Sequence, residues 1–306
     1  MVAFVTVPLV YGQKDTISVS EKKRYHKQFE LRHDNDFLHF TDQYYSTGSF
    51  LGLRSLIESE KDTLQKKHFG FYVFQEIYTP SNITETSTTL LDRPYAGILG
   101  FLTEYSLANP KRFLEYQLAM GFTGEMSGAE GLQSLFHTAV ATDSQTSTWK
   151  DQIAMSLHAN LYVNYAYEIK FQPNPFSVHF SINPKLGFGT RDIFLEQDAL
   201  FYFGKRSPIT ETVAYKQLGT TGERELFFAV RLGYRYVFHD SLLEGNILGD
   251  RSPFVVDAYS QIFLYNFELF YRKGRNDIKF TYNFETPRNR AAQPHLYLTL
   301  TLARSY

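Results

Sequence analysis

Apolar and polar residues alternate most regularly near the end of the chain. Four leucines share one face of this run: Leu296, Leu298, Leu300 and Leu302. The residues between them share the other face: Tyr297, Thr299, Thr301 and Ala303. Such a period of two predicts a β-strand. The leucine face would pack into a core in a soluble protein, whereas in a membrane barrel it would face lipid and the threonines would face the lumen.

Strand-like runs recur along the rest of the chain, and many are about ten residues long, the length of a tilted membrane strand. They lie at 27–34, 47–57, 67–77, 97–107, 113–123, 156–170, 176–189, 197–204, 224–238, 254–265, 265–273, 277–285 and 294–304. Because a single-chain bacterial barrel has an even number of strands, the pattern favours twelve. A last strand that ends in an aromatic residue, here Tyr306, also resembles outer-membrane barrels. The sequence therefore predicts an all-β fold, a twelve-stranded antiparallel transmembrane β-barrel that occupies residues 14–306 as one domain.

Turn-forming sequences separate these runs. They occur at Asn109-Pro110, Asn174-Pro175, 273–276 and 287–290. Longer loops are predicted at 78–96, 124–155, 205–223 and 239–253. Long loops on one side and short turns on the other are typical of a barrel. Pro184 falls inside the run 176–189, where a proline weakens the strand or marks a bulge.

One segment, from Ser127 to about Ala141, has helical instead of strand spacing. Its apolar residues recur at i, i+3, i+4 and i+7: Leu132, Leu135, Phe136 and Ala139. Ser127 with Glu130 three residues later is a capping-box signature. We expect a short helix inside a long loop, and a loop that carries such structure usually has a function.

Composition narrows the functional classes. With 43% hydrophobic and 21% charged residues, the chain is not expected to be disordered. The 22 Tyr and 28 Phe suit a barrel with aromatic girdles at both membrane interfaces. A net charge of -1 gives no sign of a polyanion partner, so we expect no nucleic acid. The lack of cysteine excludes disulfides, thiol nucleophiles and cysteine-bound zinc.

The first residues of the chain are apolar and resemble the end of a secretory signal sequence, although the usual preceding basic residues are missing. We interpret residues 1–13 as the remnant of a signal peptide, with cleavage near Gly12 or Gln13. The alternative interpretation is a first strand or an apolar tail. No run approaches the roughly 18 apolar residues of a transmembrane helix.

The predicted helix carries the first candidate chemistry. Gln133 and His137 are one helical turn apart and point the same way. The histidine could act as a general base beside an amide that positions water or stabilises an oxyanion. Taken alone, the pair is explained as well by a surface or packing histidine.

Two further polar clusters precede the helix. Asn35 and Asp36 lie in a stretch of carboxylate, amide and hydroxyl oxygens that continues to Ser46, and such oxygens suit Ca²⁺. Arg93, in the sequence Asp92 to Gly97, could bind a phosphate or carboxylate. Taken singly, a polar turn explains the first cluster and a structural Asp92–Arg93 pair explains the second.

Together, the clusters form motifs in a fixed order along roughly residues 30–155. The motifs are Asn35-Asp36-Phe37, Thr41 to Gly48 (T-D-x-Y-Y-S-x-G), Tyr78-Thr79-Pro80, Asp92 to Gly97 (D-R-P-Y-A-G), Gly121 to His137 with its Q-x-x-x-H, and Trp149 to Gln152. This order resembles the outer-membrane lipid A 3′-O-deacylase family. The second half of the chain is matched only by its strand pattern and its end.

The resemblance implies an outer-membrane enzyme of a Gram-negative bacterium, with its active site at the outer surface, between the barrel wall and the short helix. Such an enzyme is a Ca²⁺-dependent carboxylic-ester hydrolase that removes the 3′-linked acyloxyacyl chain from the lipid A of lipopolysaccharide. We expect it to act as a monomer.

Site residues follow from the same resemblance. His137 would be the general base, Gln133 would orient the water or the substrate, and Ser46 stands where the family has threonine. Asn35 and Asp36 would organise the Ca²⁺ site.

The chain also departs from the family pattern. The helix is preceded by Gly124-Glu125-Met126-Ser127, where the family often has G-P-x-S, and Thr148 stands where a glycine is expected. The family uses a basic group near the site that this sequence does not place. Arg93 would support the site or meet a lipid A phosphate, which is our own inference. Two alternatives stay open: another interfacial lipase such as a phospholipase, and a non-catalytic barrel.

Overall fold

The computed structural model describes residues 24–36, 43–57, 65–139 and 147–306. The predicted signal remnant at 1–13 lies outside these ranges, as do Phe37, Thr41 and Asp42 of the motifs and Ala141 at the predicted end of the helix. The strands are β1 Lys27–Asn35, β2 Tyr44–Ile57, β3 Lys66–Thr79, β4 Ala96–Ala108, β5 Arg112–Thr123, β6 Leu157–Lys170, β7 Val178–Gly189, β8 Asp192–Lys205, β9 Arg224–Asp240, β10 Gln261–Lys273, β11 Asn276–Glu285 and β12 His295–Ser305. The helices are α1 Ala129–Ala139 and α2 Ser241–Glu244.

The strands form one closed sheet. Each strand pairs antiparallel with its sequence neighbours, and β1 pairs with β12 to close the barrel, for example Leu31 with Leu302. The predicted fold class, a twelve-stranded antiparallel barrel with a short helix in a loop, is therefore confirmed.

The two faces of the barrel differ as the alternation predicts. On β12, Leu300 and Leu302 are exposed on the outside, whereas Thr299 and Ala303 are buried on the lumen side. The lumen is lined by ion pairs between strands: Arg54 with Glu104, Lys185 with Glu196, and Arg231 with Glu268. An apolar outside and a polar inside are the arrangement required of a barrel in a bilayer. Within the described ranges, no helix has the length and apolar character needed to span a membrane.

One strand prediction is wrong. Residues 254–260 form a loop, and β10 begins only at Gln261, so the runs 254–265 and 265–273 belong to a single strand. The backbone N–H groups of Val256 and Tyr259 donate to the carbonyl oxygens of Leu243 and Arg288, at 2.9 and 2.7 Å. Leu243 lies in the short helix α2 of the same connection and Arg288 lies in the connection between β11 and β12, so the segment has no strand partner despite its alternating sequence.

Pro184 lies inside β7, as its position in the sequence suggested. It faces Gln197 in the ladder with β8, whereas the ladder with β6 is interrupted between Lys185 and Ile182. The register with β6 is the same on both sides of the gap. The missing N–H of proline therefore costs ladder pairing on one side without shifting the strand.

The connections lie at two ends. The chain alternates direction, so the connections β3–β4, β5–β6 and β9–β10 share one end, which we take as the outer end because outer-membrane barrels carry their longer loops there. The predicted loops 78–96, 124–155 and 239–253 belong to it. The fourth predicted long loop, 205–223, connects β8 to β9 at the opposite end, so the expected asymmetry has one exception.

Candidate active site

The predicted metal residues lie at the outer end of β1. Asn35 is the last residue of β1 and is paired with Thr47 and Leu298. Asp36 follows and is 1% exposed; its Oδ2 accepts a hydrogen bond from the backbone N–H of Gln43 at 2.9 Å. The carboxylate is thus held in place by the backbone immediately before the next strand.

Ser46 lies directly beside Asp36. The backbone N–H of Asp36 donates to the carbonyl of Ser46 at 3.4 Å, and Ser46 Oγ donates to the carbonyl of Ile77 on β3 at 3.4 Å. The register between β2 and β3 shifts between Tyr45 and Thr47, so Ser46 is the extra residue of a β-bulge. A bulge re-aims side chains at the rim of a barrel, and here it buries Tyr45 and Ser46 on consecutive positions.

Three residues with hard oxygen donors therefore lie next to one another at this rim, at the end of β1 and across from it on β2: Asn35, Asp36 and Ser46. Among the described residues, no three His, Cys, Asp or Glu side chains cluster as metal ligands. A cation here would take the rest of its about six to eight ligands from amide, hydroxyl, carbonyl or water oxygens. Because Ca²⁺ accepts all of these oxygen types, the donor set fits that ion.

A second group of contacts fixes α1 on the barrel. A 3₁₀ turn, Gly124–Ser127, leads from β5 to the helix, and Ser127 Oγ accepts from the N–H of Ala129 at 3.3 Å. Ser127 therefore contacts the first N–H of the helix, but the helix begins at Ala129, two residues after the serine, so Glu130 is its second residue and the spacing differs from that of the predicted capping box. Gln75 Nε2 on β3 donates to the carbonyl of Ser127 at 2.6 Å. A Cβ on Gly97 would lie 2.3 Å from Ala129 Cβ, so only glycine permits this close approach.

Gln133 is buried on the side of α1 that faces the barrel. Its Oε1 accepts from Trp149 Nε1 at 2.6 Å, and the Trp149 ring packs on Tyr95 with 5.1 Å between ring centroids. The apolar side chains of Leu132 and Leu135 are exposed instead, Leu135 by 62%. The helix therefore turns a polar residue inward and apolar residues outward, the reverse of a soluble surface helix.

His137 lies in α1, one turn after Gln133. The structure describes its place in the helix and not its side chain. The same helix therefore carries both residues of the Q-x-x-x-H motif, as the sequence predicts.

The motif Asp92 to Gly97 ties the outer connections together. Asp92 accepts from Tyr44 Oη and from the N–H of Ser81, each at 3.0 Å. Arg93 is buried, donates to the carbonyl of Leu242 at 3.2 Å, and lies over the Tyr78 ring at 4.8 Å. Burial lowers the pKa of the Arg93 guanidinium, which nevertheless stays charged.

Sequence reasoning missed one charged residue close to the site. Arg191, in the tight turn between β7 and β8, forms an ion pair with Glu76 and lies 3.5 Å from Tyr78 Oη. No local sequence pattern predicts this ion pair, because Arg191 and Glu76 are 115 positions apart and meet only across the mouth of the barrel.

Replacing Trp149 by phenylalanine is expected to lower kcat of the ester hydrolysis that the sequence resemblance predicts by up to about a hundredfold, because Gln133 loses the Trp149 N–H donor and the helix loses its exact placement. The ring contact with Tyr95 is retained, so the barrel should keep its stability and KM should change little. Steady-state kinetics in detergent micelles would measure this. Lys150→Ala, at the adjacent exposed residue, is the matched control. If kcat were unaltered in Trp149→Phe, the hydrogen bond from Trp149 would play no part in the site.

The fold and the site together define a class: an outer-membrane β-barrel with a polar, candidate catalytic site under a loop helix at its outer end. The family model described as outer membrane protein LpxR matches residues 1–305. The chain belongs to this family, the outer-membrane lipid A 3′-O-deacylases. Localisation in the outer membrane follows.

The chain is also similar to solved structures, of which one supports the fold. LpxR from Salmonella typhimurium superposes with a TM-score of 0.75 at 15% identity and covers 91% of this chain and 100% of its own. The β domain of the Bordetella autotransporter BrkA gives a TM-score of 0.46 at 9% identity, covering 92% of this chain and 99% of its own. An outer membrane channel from Pseudomonas putida gives 0.47 at 10%, covering 93% and 96%. No curated protein sequence matches the chain significantly.

Proposed function

We propose that this protein hydrolyses the 3′-linked acyloxyacyl ester of lipid A at the outer surface of the membrane, in a Ca²⁺-dependent reaction. The main support is Ile77, which contacts both parts of the candidate site. Its carbonyl accepts from Ser46 Oγ, beside Asp36, and its side chain packs in one buried cluster with Ala129 and Trp149. The candidate metal residues and the helix that bears Gln133 and His137 are therefore built on the same residue of β3.

In the proposed reaction, His137 removes a proton from a water molecule that attacks the ester carbonyl. The tetrahedral intermediate collapses to a free acid and a sugar hydroxyl, and the proton passes from the histidine to the departing alkoxide. Gln133, fixed by Trp149, orients the water or the substrate. Asn35 and Asp36, with the Ser46 hydroxyl nearby, would hold Ca²⁺, which when bound supplies a Lewis acid for the oxyanion.

The outward face of α1 supports a substrate that lies in the membrane. Leu132 and Leu135 are exposed on α1 at the outer end of the barrel, in the connection that follows β5 with its lipid-facing Phe122. Exposed apolar side chains that continue a lipid-facing surface suit contact with acyl chains. An ester at the boundary between sugar and acyl chain would lie at this height.

Arg93 supports the site in this proposal. Its guanidinium is buried and is satisfied by the carbonyls of Pro94 and Leu242, with Tyr78 beneath it. A buried group with these partners fixes the loop that holds Tyr95 and hence Trp149. Action as a monomer stays a prediction.

The proposal is tested by mass spectrometry of lipid A from isolated outer membranes that contain the protein. With added Ca²⁺, lipid A is expected to lose the mass of one acyloxyacyl chain, and a chelator should prevent the loss. Unchanged lipid A beside a correctly folded barrel would contradict the proposal. Release of fatty acid from phospholipids in the same membranes would favour the phospholipase alternative instead.

A further inference from the structure

The connection between β8 and β9, residues 206–223, folds into the lumen at the end opposite to the site. It contains a 3₁₀ turn, Val213–Tyr215, and buries three of its apolar side chains almost completely: Ile209, Tyr215 and Leu218. A loop at a barrel end normally lies outside the lumen in water. This luminal segment instead forms part of the interior.

Two patches of the wall around the luminal segment are apolar, although most of the lumen is charged. Ile209 and Tyr215 pack against inward-facing residues of three strands: Ala108, Phe113 and Ala166. Val213 and Ala214 pack against a second set on β8, β9 and β10: Leu200, Tyr202, Phe227, Ala229 and Phe270. Inward-facing apolar residues would be unfavourable in an open aqueous channel, so the wall is matched to the segment that covers it.

Polar contacts fasten the luminal segment to one side of the barrel. Lys216 Nζ lies 2.9 Å from Glu104 on β4 and 3.1 Å from Glu115 on β5. Arg54 on β2 donates to the Lys216 carbonyl at 3.4 Å. Enclosure acts to lower the pKa of Lys216, but the two carboxylates raise it above its ordinary value, so the ammonium group stays charged.

A second set of contacts fastens the segment to the opposite wall. Arg272 on β10 donates to the carbonyls of Glu211 and Gln217, both at 2.6 Å. In the closed order of strands, β10 lies diametrically opposite β4, which holds Lys216 through Glu104. The luminal segment therefore spans the full width of the barrel. The N–H of Tyr25, just before β1, also donates to the Gly219 carbonyl at 3.2 Å.

We propose that the luminal segment seals the barrel, so that the lumen is closed to ions at this end and the protein forms no channel. A cavity of about 480 Å³ lies in the lumen, and its lining includes Val213 and Lys216 of the segment as well as Arg32 and Arg288 nearer the outer end. The segment therefore bounds this cavity on one side, as a seal would. The seal preserves the permeability barrier of the membrane, while the outer end of the barrel carries the candidate active site.

Single-channel recording in planar lipid bilayers tests the seal. Wild-type protein is expected to give no conductance steps, whereas replacement of residues 208–218 by a short glycine-serine linker should give discrete, ohmic steps. Lys216→Glu places a third carboxylate beside Glu104 and Glu115 and should give intermittent conductance. Lys205→Glu, at an exposed lysine just outside the segment, makes the same charge change and should stay silent.

Folding of each variant is checked by its heat-modifiable migration in gels. Conductance by the wild type, or silence of a folded deletion variant, would overturn the proposal. If the deletion variant does not fold, Lys216→Glu decides alone, and a folded but silent Lys216→Glu counts against the seal. Because the readout is conductance, the result is independent of whether the protein hydrolyses lipid A.

Discussion

Replacing His137 by alanine is expected to lower the rate of acyl-chain release from lipid A by about 10²–10⁴-fold, the usual contribution of a general base. The barrel should fold normally, because its closure depends on the twelve strands and not on this helical position. KM should change little, since the base acts on water. Mass spectrometry of lipid A over a time course would give the rate.

A base can be told from a merely structural residue by chemical rescue. Free imidazole is expected to restore part of the activity of His137→Ala, rising with pH as the neutral form accumulates around its pKa. His26→Ala, at the opposite end of the barrel, serves as the matched histidine control and should behave as wild type. If His137→Ala were active at close to the wild-type rate, His137 would not be the general base.

Replacing Asp36 by asparagine is expected to raise the Ca²⁺ concentration needed for half-maximal activity by at least about tenfold, because ligand charge sets the affinity of a calcium site. Asparagine has nearly the same size and can still accept from the N–H of Gln43, so the end of β1 should keep its structure. The change isolates the negative charge of one buried carboxylate.

Two measurements check this expectation. Titration calorimetry with Ca²⁺ should show weaker binding by Asp36→Asn without reference to turnover, and activity should recover at high Ca²⁺. Asp257→Asn, an exposed aspartate on the same end of the barrel, is the matched control for the loss of one charge. Equal Ca²⁺ affinity in wild type and Asp36→Asn would exclude Asp36 as a ligand.

Part of the candidate site could be predicted because it is local in sequence. Gln133 and His137 lie one turn apart on one helix, since helical spacing depends only on residues a few positions apart. Asn35, Asp36 and Ser46 are also close in the chain and meet across one pair of strands.

Other parts needed the closed barrel. Arg93 donates to the carbonyl of Leu242, which is 149 positions away in the chain. The sequence around Arg93 therefore left open whether its guanidinium would bind a phosphate or a group of the protein. The hydrogen bond from Trp149 to Gln133 crosses a loop of the same connection, and nothing in their spacing predicts it. In each case the partner is chosen by how the loops pack at the barrel mouth.

The sequence by itself determined most of the strands and the face that each turns to lipid, because a period of two is a property of neighbouring residues and survives in any sheet. The number twelve needed one more condition, the even strand number of a bacterial barrel, because the pattern contained thirteen runs. Only the tertiary structure decided that residues 254–260 lack a strand partner and that residues 206–223 enter the lumen. Both depend on which distant backbone and side-chain groups the closed barrel brings within hydrogen-bonding reach. Lys216 finds Glu104 and Glu115 only because ring closure places those strands around one lumen.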